Sequence, residues 1–221
     1  ATASLILPEY AHMPAHPKEA KEFLVKVLEG LEAVGGTYLC GCIAFAGGVF
    51  TGEPPTQAER QVCIETLGEV CLEAGKRGIK VGLECVNRYE TYLYNALVDG
   101  RETVKAVGLD NFELHADTYH MNIEEEGFYQ PLVDVADVLG YIHMSESHRG
   151  QVGTGTINWD DIFRGLKDGN YKGPLVLESF SANNPELAAA IRLWRPPNKT
   201  PEFLASEGLR FLRSKAEAFG L

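Results

Sequence analysis

Ile79-Lys80-Val81-Gly82-Leu83-Glu84 is a short apolar run that ends on a carboxylate, and the chain repeats that arrangement three more times. Phe112-Glu113-Leu114-His115-Ala116-Asp117, Gly140-Tyr141-Ile142-His143 and Leu175-Val176-Leu177-Glu178 each read as a buried strand closing on an acid or an imidazole. Successive closing residues lie 33, 26 and 35 positions apart, about the length of one strand-plus-helix unit. Parallel strands joined by helices present their C-terminal ends at one face, where a (β/α) barrel keeps its chemistry. Glu84, Asp117, His143 and Glu178 are therefore candidate metal ligands that one barrel mouth would gather.

Strand and helix signals alternate on both sides of these runs. Ser4–Leu7 and Thr37–Ile43 read as further strands. Apolar residues at helical spacing run from Pro17 to Val34, with a proline near the start and Gly35-Gly36 at the end, the usual punctuation of a helix. Further helices are predicted over about Pro55–Gly75, Gly100–Val107, Phe128–Val138, Trp159–Asp168 and Pro201–Phe219. That makes six βα units with no linker or low-complexity stretch between them. Such alternation specifies a parallel sheet with helices outside, and a closed barrel takes about eight units. The expectation is an α/β fold of the (β/α)8 TIM-barrel type lacking its first two βα units, with residues 1–221 as a single, N-terminally incomplete barrel domain.

The 221 residues are 45% hydrophobic, enough for one substantial core. A formal net charge of −11 argues against nucleic acid as a partner, because phosphate binding needs clustered Lys and Arg. No run reaches the roughly 20 apolar residues of a membrane helix. Ala1-Thr2-Ala3-Ser4 lacks the basic start of a secretory signal, so a cytoplasmic protein without a membrane partner is expected. Five cysteines without a C-x-x-C pair read as buried free thiols.

Two glutamates, one aspartate and one histidine make a hard, oxygen-rich donor set. Such a set suits a divalent metal, Mn²⁺ first, with Mg²⁺ or Co²⁺ as alternatives. The ion also offsets the mutual repulsion of the acids and keeps them ionised.

Four segments carry a family resemblance: Leu83-Glu84-Cys85-Val86-Asn87-Arg88-Tyr89-Glu90, Asp117-Thr118-Tyr119-His120-Met121-Asn122-Ile123-Glu124-Glu125, His143-Met144-Ser145-Glu146-Ser147-His148-Arg149 and Leu177-Glu178-Ser179-Phe180. Together they resemble the ketose 3-epimerases (D-tagatose, D-allulose or psicose, and L-ribulose 3-epimerases) of the xylose-isomerase-like TIM-barrel superfamily. The likeness extends from about Thr37 to the C-terminus and includes Ile191-Arg192-Leu193-Trp194-Arg195. It implies an isomerase with Glu84, Asp117, His143 and Glu178 as metal ligands and the two glutamates as the acid–base pair. It further implies that Glu90, His120 and Arg149 hold substrate oxygens. Expected partners are a small-molecule ketose and further copies of the chain, as a dimer or tetramer.

The chemistry follows independently of the name. A cation bound through O2 and O3 of a ketose polarises the carbonyl and acidifies the C3 proton. A carboxylate on one face removes that proton to give a cis-enediolate, and a second on the opposite face returns one, inverting C3. Two glutamates of similar basicity suit such an exchange of roles. An aldose–ketose or hydroxypyruvate-type isomerase of the same superfamily is the alternative enzyme. A truncated barrel that binds sugar or metal without turnover is the alternative of another class. An endonuclease of the superfamily is disfavoured by the acidic charge and the few histidines.

Each residue taken singly has a plainer reading. Glu84 and Glu178 could be solvated acids, Asp117 a helix or turn cap, and His143 a hydrogen-bonded core imidazole; their joint occurrence within the four segments favours a metal site. His115, two residues before Asp117 and on the same strand face, is a rival ligand, ranked lower because a deeper layer is core territory. Glu124-Glu125-Glu126 and Glu146 read as solvated loop charges, Arg88 as a surface ion pair, and Gly150–Gly155 as a flexible turn beside the site rather than a phosphate loop.

Overall fold

The computed structural model describes residues 2–180, 185–195 and 198–221. Six strands alternate with helices: β1 (Thr2–Leu7), α1 (Pro17–Ala33), β2 (Tyr38–Ala46), α2 (Gln57–Gly75), β3 (Lys80–Glu84), α3 (Leu97–Val107), β4 (Phe112–Asp117), α4 (Thr118–Glu124), α5 (Tyr129–Asp134), β5 (Leu139–Ser145), α6 (Trp159–Asp168), β6 (Leu175–Glu178), α7 (Pro185–Ala190) and α8 (Pro201–Phe219). The strands form one sheet in sequential order, every neighbouring pair parallel, with β1 and β6 at its edges. This is the wall of a TIM-type barrel with six of its strands, as the alternation of sequence signals predicts.

Burial explains why the strand signals are continuous apolar runs rather than alternating ones. All nine residues of β2 are buried, as are four of five in β3, because helices cover one face and the barrel interior the other. Edge strand β1 instead alternates between exposed and half-buried positions. Helix starts follow capping chemistry. Thr56 and Glu59 form a reciprocal capping box on α2 (2.7 and 3.2 Å), and Asn158 Oδ1 accepts the Asp161 N–H at the start of α6. All five cysteines are buried and free.

Three helical features differ from the sequence prediction. Helix α4 follows β4 with no loop, and its seven residues are too few for periodicity to reveal. Helix α5 ends at Asp134 rather than reaching Val138, since Val138 N–H turns back to Val135 O at 3.0 Å. Helix α7 has no forerunner in the predicted elements. Among the described residues no helix is long and apolar enough to cross a membrane.

Strand register decides which side chains meet at the mouth. Glu84 lies level with His115, Asp117 with His143, and Ser145 with Glu178. The strand ends are thus staggered, as tilted barrel strands must be, and a register irregularity between Leu114 and His115 sets the β4–β5 pairing.

Gly41 fixes the β1–β2 contact. Its φ is +107°, and a Cβ there would lie 2.3 Å from Leu5 O and 2.8 Å from Leu5 N, both backbone atoms. Gly41→Ala is expected to destabilise the chain by about 1–3 kcal/mol, read as a lowered urea midpoint. An unchanged midpoint would show that β1 moves aside freely.

Candidate active site

The four strand-end residues converge. His143 Nδ1 lies 3.1 Å from Glu178 Oε1 and 3.7 Å from both Glu84 Oε1 and Asp117 Oδ2. That nitrogen is buried and has no hydrogen bond of ordinary geometry. Donor atoms of Asp117, His143 and Glu178 all lie within 4.8 Å of one another. An imidazole nitrogen lacking its own partner and ringed by three carboxylates is what a hard divalent cation requires, so these residues fit one.

The electrostatics are lopsided. Burial alone lowers His143, but the surrounding carboxylates of Asp117, Glu178 and Glu84 override it and favour positive charge there. Burial would raise Glu84, yet the imidazoles of His115 and His143 hold it below the usual carboxylate range. Glu178 moves the other way, raised by burial and then by Asp117. The two glutamates are thus shifted in opposite directions by their surroundings.

Asp117 combines the ligand and cap readings. Its Oδ1 accepts the Tyr119 N–H at 2.7 Å and caps α4, while Oδ2 turns to His143 and to Arg149 Nη1 at 2.9 Å. Burial would raise this carboxyl, but Arg149 and His120 hold it well below the ordinary range. Thr118 Oγ1 accepts from Ser145 N at 2.8 Å and donates to Ser145 O at 2.6 Å, clamping the tops of β4 and β5 together.

His120, Arg149 and Glu90 border the same mouth. Asn87 N–H donates to His120 Nδ1 at 3.0 Å. Arg149 Nη2 lies 3.0 Å from the other ring nitrogen, His120 Nε2. Arg149 also contacts Glu178 Oε2 and lies over the Tyr119 ring at 3.8 Å. Its backbone is left-handed (φ 59°), a conformation non-glycine residues rarely adopt. It is pinned by Arg149 N–H to Glu146 O (2.8 Å) and by Ser179 Oγ to Arg149 O (3.0 Å). Glu90 accepts from Asn87 Nδ2 at 2.9 Å. Glu90, Tyr119, Arg149 and Arg192 help line a cavity of about 170 Å³. A larger opening of about 550 Å³ is lined by His148, Arg195 and Lys199 among others, and none of the four strand-end residues lines either space.

Several sequence readings change. Glu146 is fully buried rather than solvated. Its carboxylate accepts from Ser147 N, Gly153 N, Ile157 N and Trp159 Nε1 at 2.8–3.3 Å, so the glycine-rich turn after β5 is tied down. Burial would raise Glu146, but these donors hold it below the ordinary value. Glu125 accepts Leu97 N–H at 2.7 Å and anchors α3, while Glu124, expected to be a solvated loop charge, pairs with Arg88, which was expected to form a surface ion pair. Asn87, Tyr119 and Ser145 were not singled out; only Asn87 carried a signal, lying three residues before Glu90 in the loop after β3.

A parallel (β/α)-barrel wall whose acid-rich mouth suits a divalent cation defines the class of protein. The chain matches the xylose isomerase-like TIM-barrel family over residues 3–215. It is 37% identical over 204 residues to the L-ribulose 3-epimerase of Methylomonas sp. (strain DH-1), covering 91% of this chain and 71% of that protein. It is also 37% identical over 207 residues to the ketose 3-epimerase of Arthrobacter globiformis, covering 93% and 71%. The D-allulose 3-epimerase from Methylomonas sp. in complex with D-allulose superimposes with a TM-score of 0.91 at 36% identity, over 96% of this chain and 76% of that one. The chain belongs to the xylose isomerase-like TIM-barrel family and, within it, to the ketose 3-epimerases, which are isomerases.

Because Glu146 is lowered on folding, its stabilisation is present above the unfolded carboxylate pKa of about 4.3 and is lost as pH falls through the folded value. Glu146→Gln is expected to cost about 2–3 kcal/mol near neutral pH and to reduce the loss of stability on acidification. Urea unfolding of both proteins from pH 7 to pH 3 checks this; parallel pH curves would remove Glu146 from that role.

Proposed function

We propose that the chain is a cation-dependent ketose 3-epimerase that inverts C3 of a free keto-sugar by moving protons through two glutamates. The observation that carries this reading is the placement of Glu84 and Glu178 on strands to either side of Asp117 and His143, both within 3.7 Å of His143 Nδ1. The names of the relatives and the bound D-allulose of one of them support a free ketose as substrate.

Glu84, Asp117, His143 and Glu178 would hold the ion, Mn²⁺ first by donor type, with Mg²⁺ or Co²⁺ as alternatives. When bound, it supplies Lewis-acid polarisation of the ketose carbonyl, which acidifies the C3–H bond. One glutamate accepts the C3 proton, the C–H electron pair passing into a cis-enediolate, and the other delivers a proton to the opposite face. A turnover leaves the first glutamate protonated and the second ionised, so the pair resets through solvent protons. His120 and the Arg149 guanidinium, side by side at the mouth, would bind sugar oxygens there. Glu90 provides a carboxylate acceptor for a sugar hydroxyl at the side of the same cavity.

In D₂O with Mn²⁺ and a panel of ketoses, deuterium is expected at C3 by NMR. Label at C1 would instead establish an aldose–ketose isomerase, and no label in any ketose would leave a non-catalytic barrel. Glu84→Gln and Glu178→Gln are each expected to lower the C3 exchange rate by about 10²–10⁴-fold. Chelation should abolish exchange and added Mn²⁺ restore it; exchange that survives chelation would refute the cation requirement.

A further inference from the structure

Directly beneath the mouth lies a histidine that the epimerase reading does not use. His115 has no exposed surface, and neither ring nitrogen has a hydrogen-bond partner. Buried polar atoms without partners are uncommon in folded proteins, and here both belong to one side chain. The ring is oriented by edge-to-face contacts, with centroids 4.2 Å from His143 and 4.9 Å from Tyr141.

Its surroundings supply a second donor set. Glu84 is the cross-strand neighbour of His115, and the Glu84 carboxylate spans two imidazoles: Oε2 lies 3.7 Å from His115 Nδ1, and Oε1 lies 3.7 Å from His143 Nδ1. Donor atoms of Glu84, His115 and His143 all lie within 4.8 Å of one another, and all three residues are buried. A tetrahedral ion with bonds of about 2.0–2.1 Å places its ligands roughly 3.3–3.4 Å apart, so one Glu84 oxygen and the two imidazole nitrogens, which lie within 4.8 Å of one another, would draw closer around it.

The geometry points to a second, deeper cation site made by Glu84, His115 and His143, which takes a nitrogen-preferring divalent ion of the zinc class and excludes occupancy of the oxygen-rich site above it. Two imidazoles and one carboxylate are the donors zinc favours, whereas Mn²⁺ and Mg²⁺ favour oxygens. Glu84 and His143 belong to both sets, so an ion held low removes two ligands from the upper site. The chain then discriminates between ions by depth. His115 is specific to the lower set, and Asp117 and Glu178 to the upper one.

Metal affinity of the metal-free full chain tests this without any assay of turnover. His115→Phe keeps an aromatic ring in place and removes only the nitrogens, while His115→Gln keeps a polar group and removes the ring; urea midpoints identify any variant whose fold is compromised. By calorimetric titration, both variants are expected to weaken Zn²⁺ binding at least tenfold and to change Mn²⁺ binding less than about threefold, whereas Asp117→Asn weakens Mn²⁺ more than Zn²⁺. Zinc-edge anomalous scattering should place the ion between Glu84, His115 and His143. Equal losses for both metals in the His115 variants, unchanged Zn²⁺ affinity, or a zinc peak between Asp117 and Glu178 would each overturn the proposal. Failure here is distinct from failure of the epimerase reading, which deuterium exchange decides.

Discussion

Three carboxylates share the surroundings of one buried imidazole nitrogen, and the upper half of the barrel is organised around keeping them there. Like charges about 4 Å apart repel by about 4 kcal/mol at the effective dielectric of a protein, so such a group persists only where positive charge is favoured. His143 Nδ1 and the Arg149 guanidinium meet that need on two sides. The cost of crowding acids is thus also the source of cation affinity: a doubly charged ion in contact with several carboxylates gains more than a single proton.

Holding the arrangement falls to the layer around it. Asp117 divides its two oxygens between capping α4 and facing the mouth, so the helix start fixes the direction of the carboxylate. The Thr118–Ser145 pair ties the tops of β4 and β5, and Glu146 gathers three N–H donors from the loop that carries Arg149 and a fourth from Trp159 at the start of α6. The left-handed backbone of Arg149 is sustained by hydrogen bonds from both sides. These contacts make a rigid rim of segments that are irregular by secondary structure. The asymmetry between the glutamates has the same origin: Glu84 sits on an interior strand beside two imidazoles, whereas Glu178 closes an edge strand whose residues are all only half-buried.

The strands and the four convergent side chains were legible because burial on both faces of a parallel sheet writes a continuous apolar run, and a charge at its end breaks the pattern. Helix α4 was not legible, since seven residues cannot establish a period. Glu146 was misread because sequence distinguishes an acid in a loop from an acid at the centre of a loop only through donors supplied by distant positions, here Gly153, Ile157 and Trp159. His115, ranked below Asp117 as a deeper position, is indeed fully buried, but its height relative to the other strand ends could not be read without the register. Register supplies it: Glu84 is level with His115, not with Asp117.

That stagger also bears on how a barrel mouth chooses its ion. In a flat ring of strand ends every ligand would lie at one height, and metal choice would rest on donor identity alone. Tilt spreads the ligands over two levels, with oxygen donors from Asp117 and Glu178 concentrated above and the additional nitrogen of His115 below. Glu84 and His143 serve both levels because their strands meet β4 from either side. The affinity order of divalent ions favours zinc over manganese for nearly any nitrogen-containing set, so a chain that works with a harder ion depends on the upper level gaining more from its two extra carboxylates than the lower gains from one imidazole. The balance rests on charge: the upper set brings three negative groups to a divalent ion and the lower set one, a difference that grows in a buried, weakly screened site.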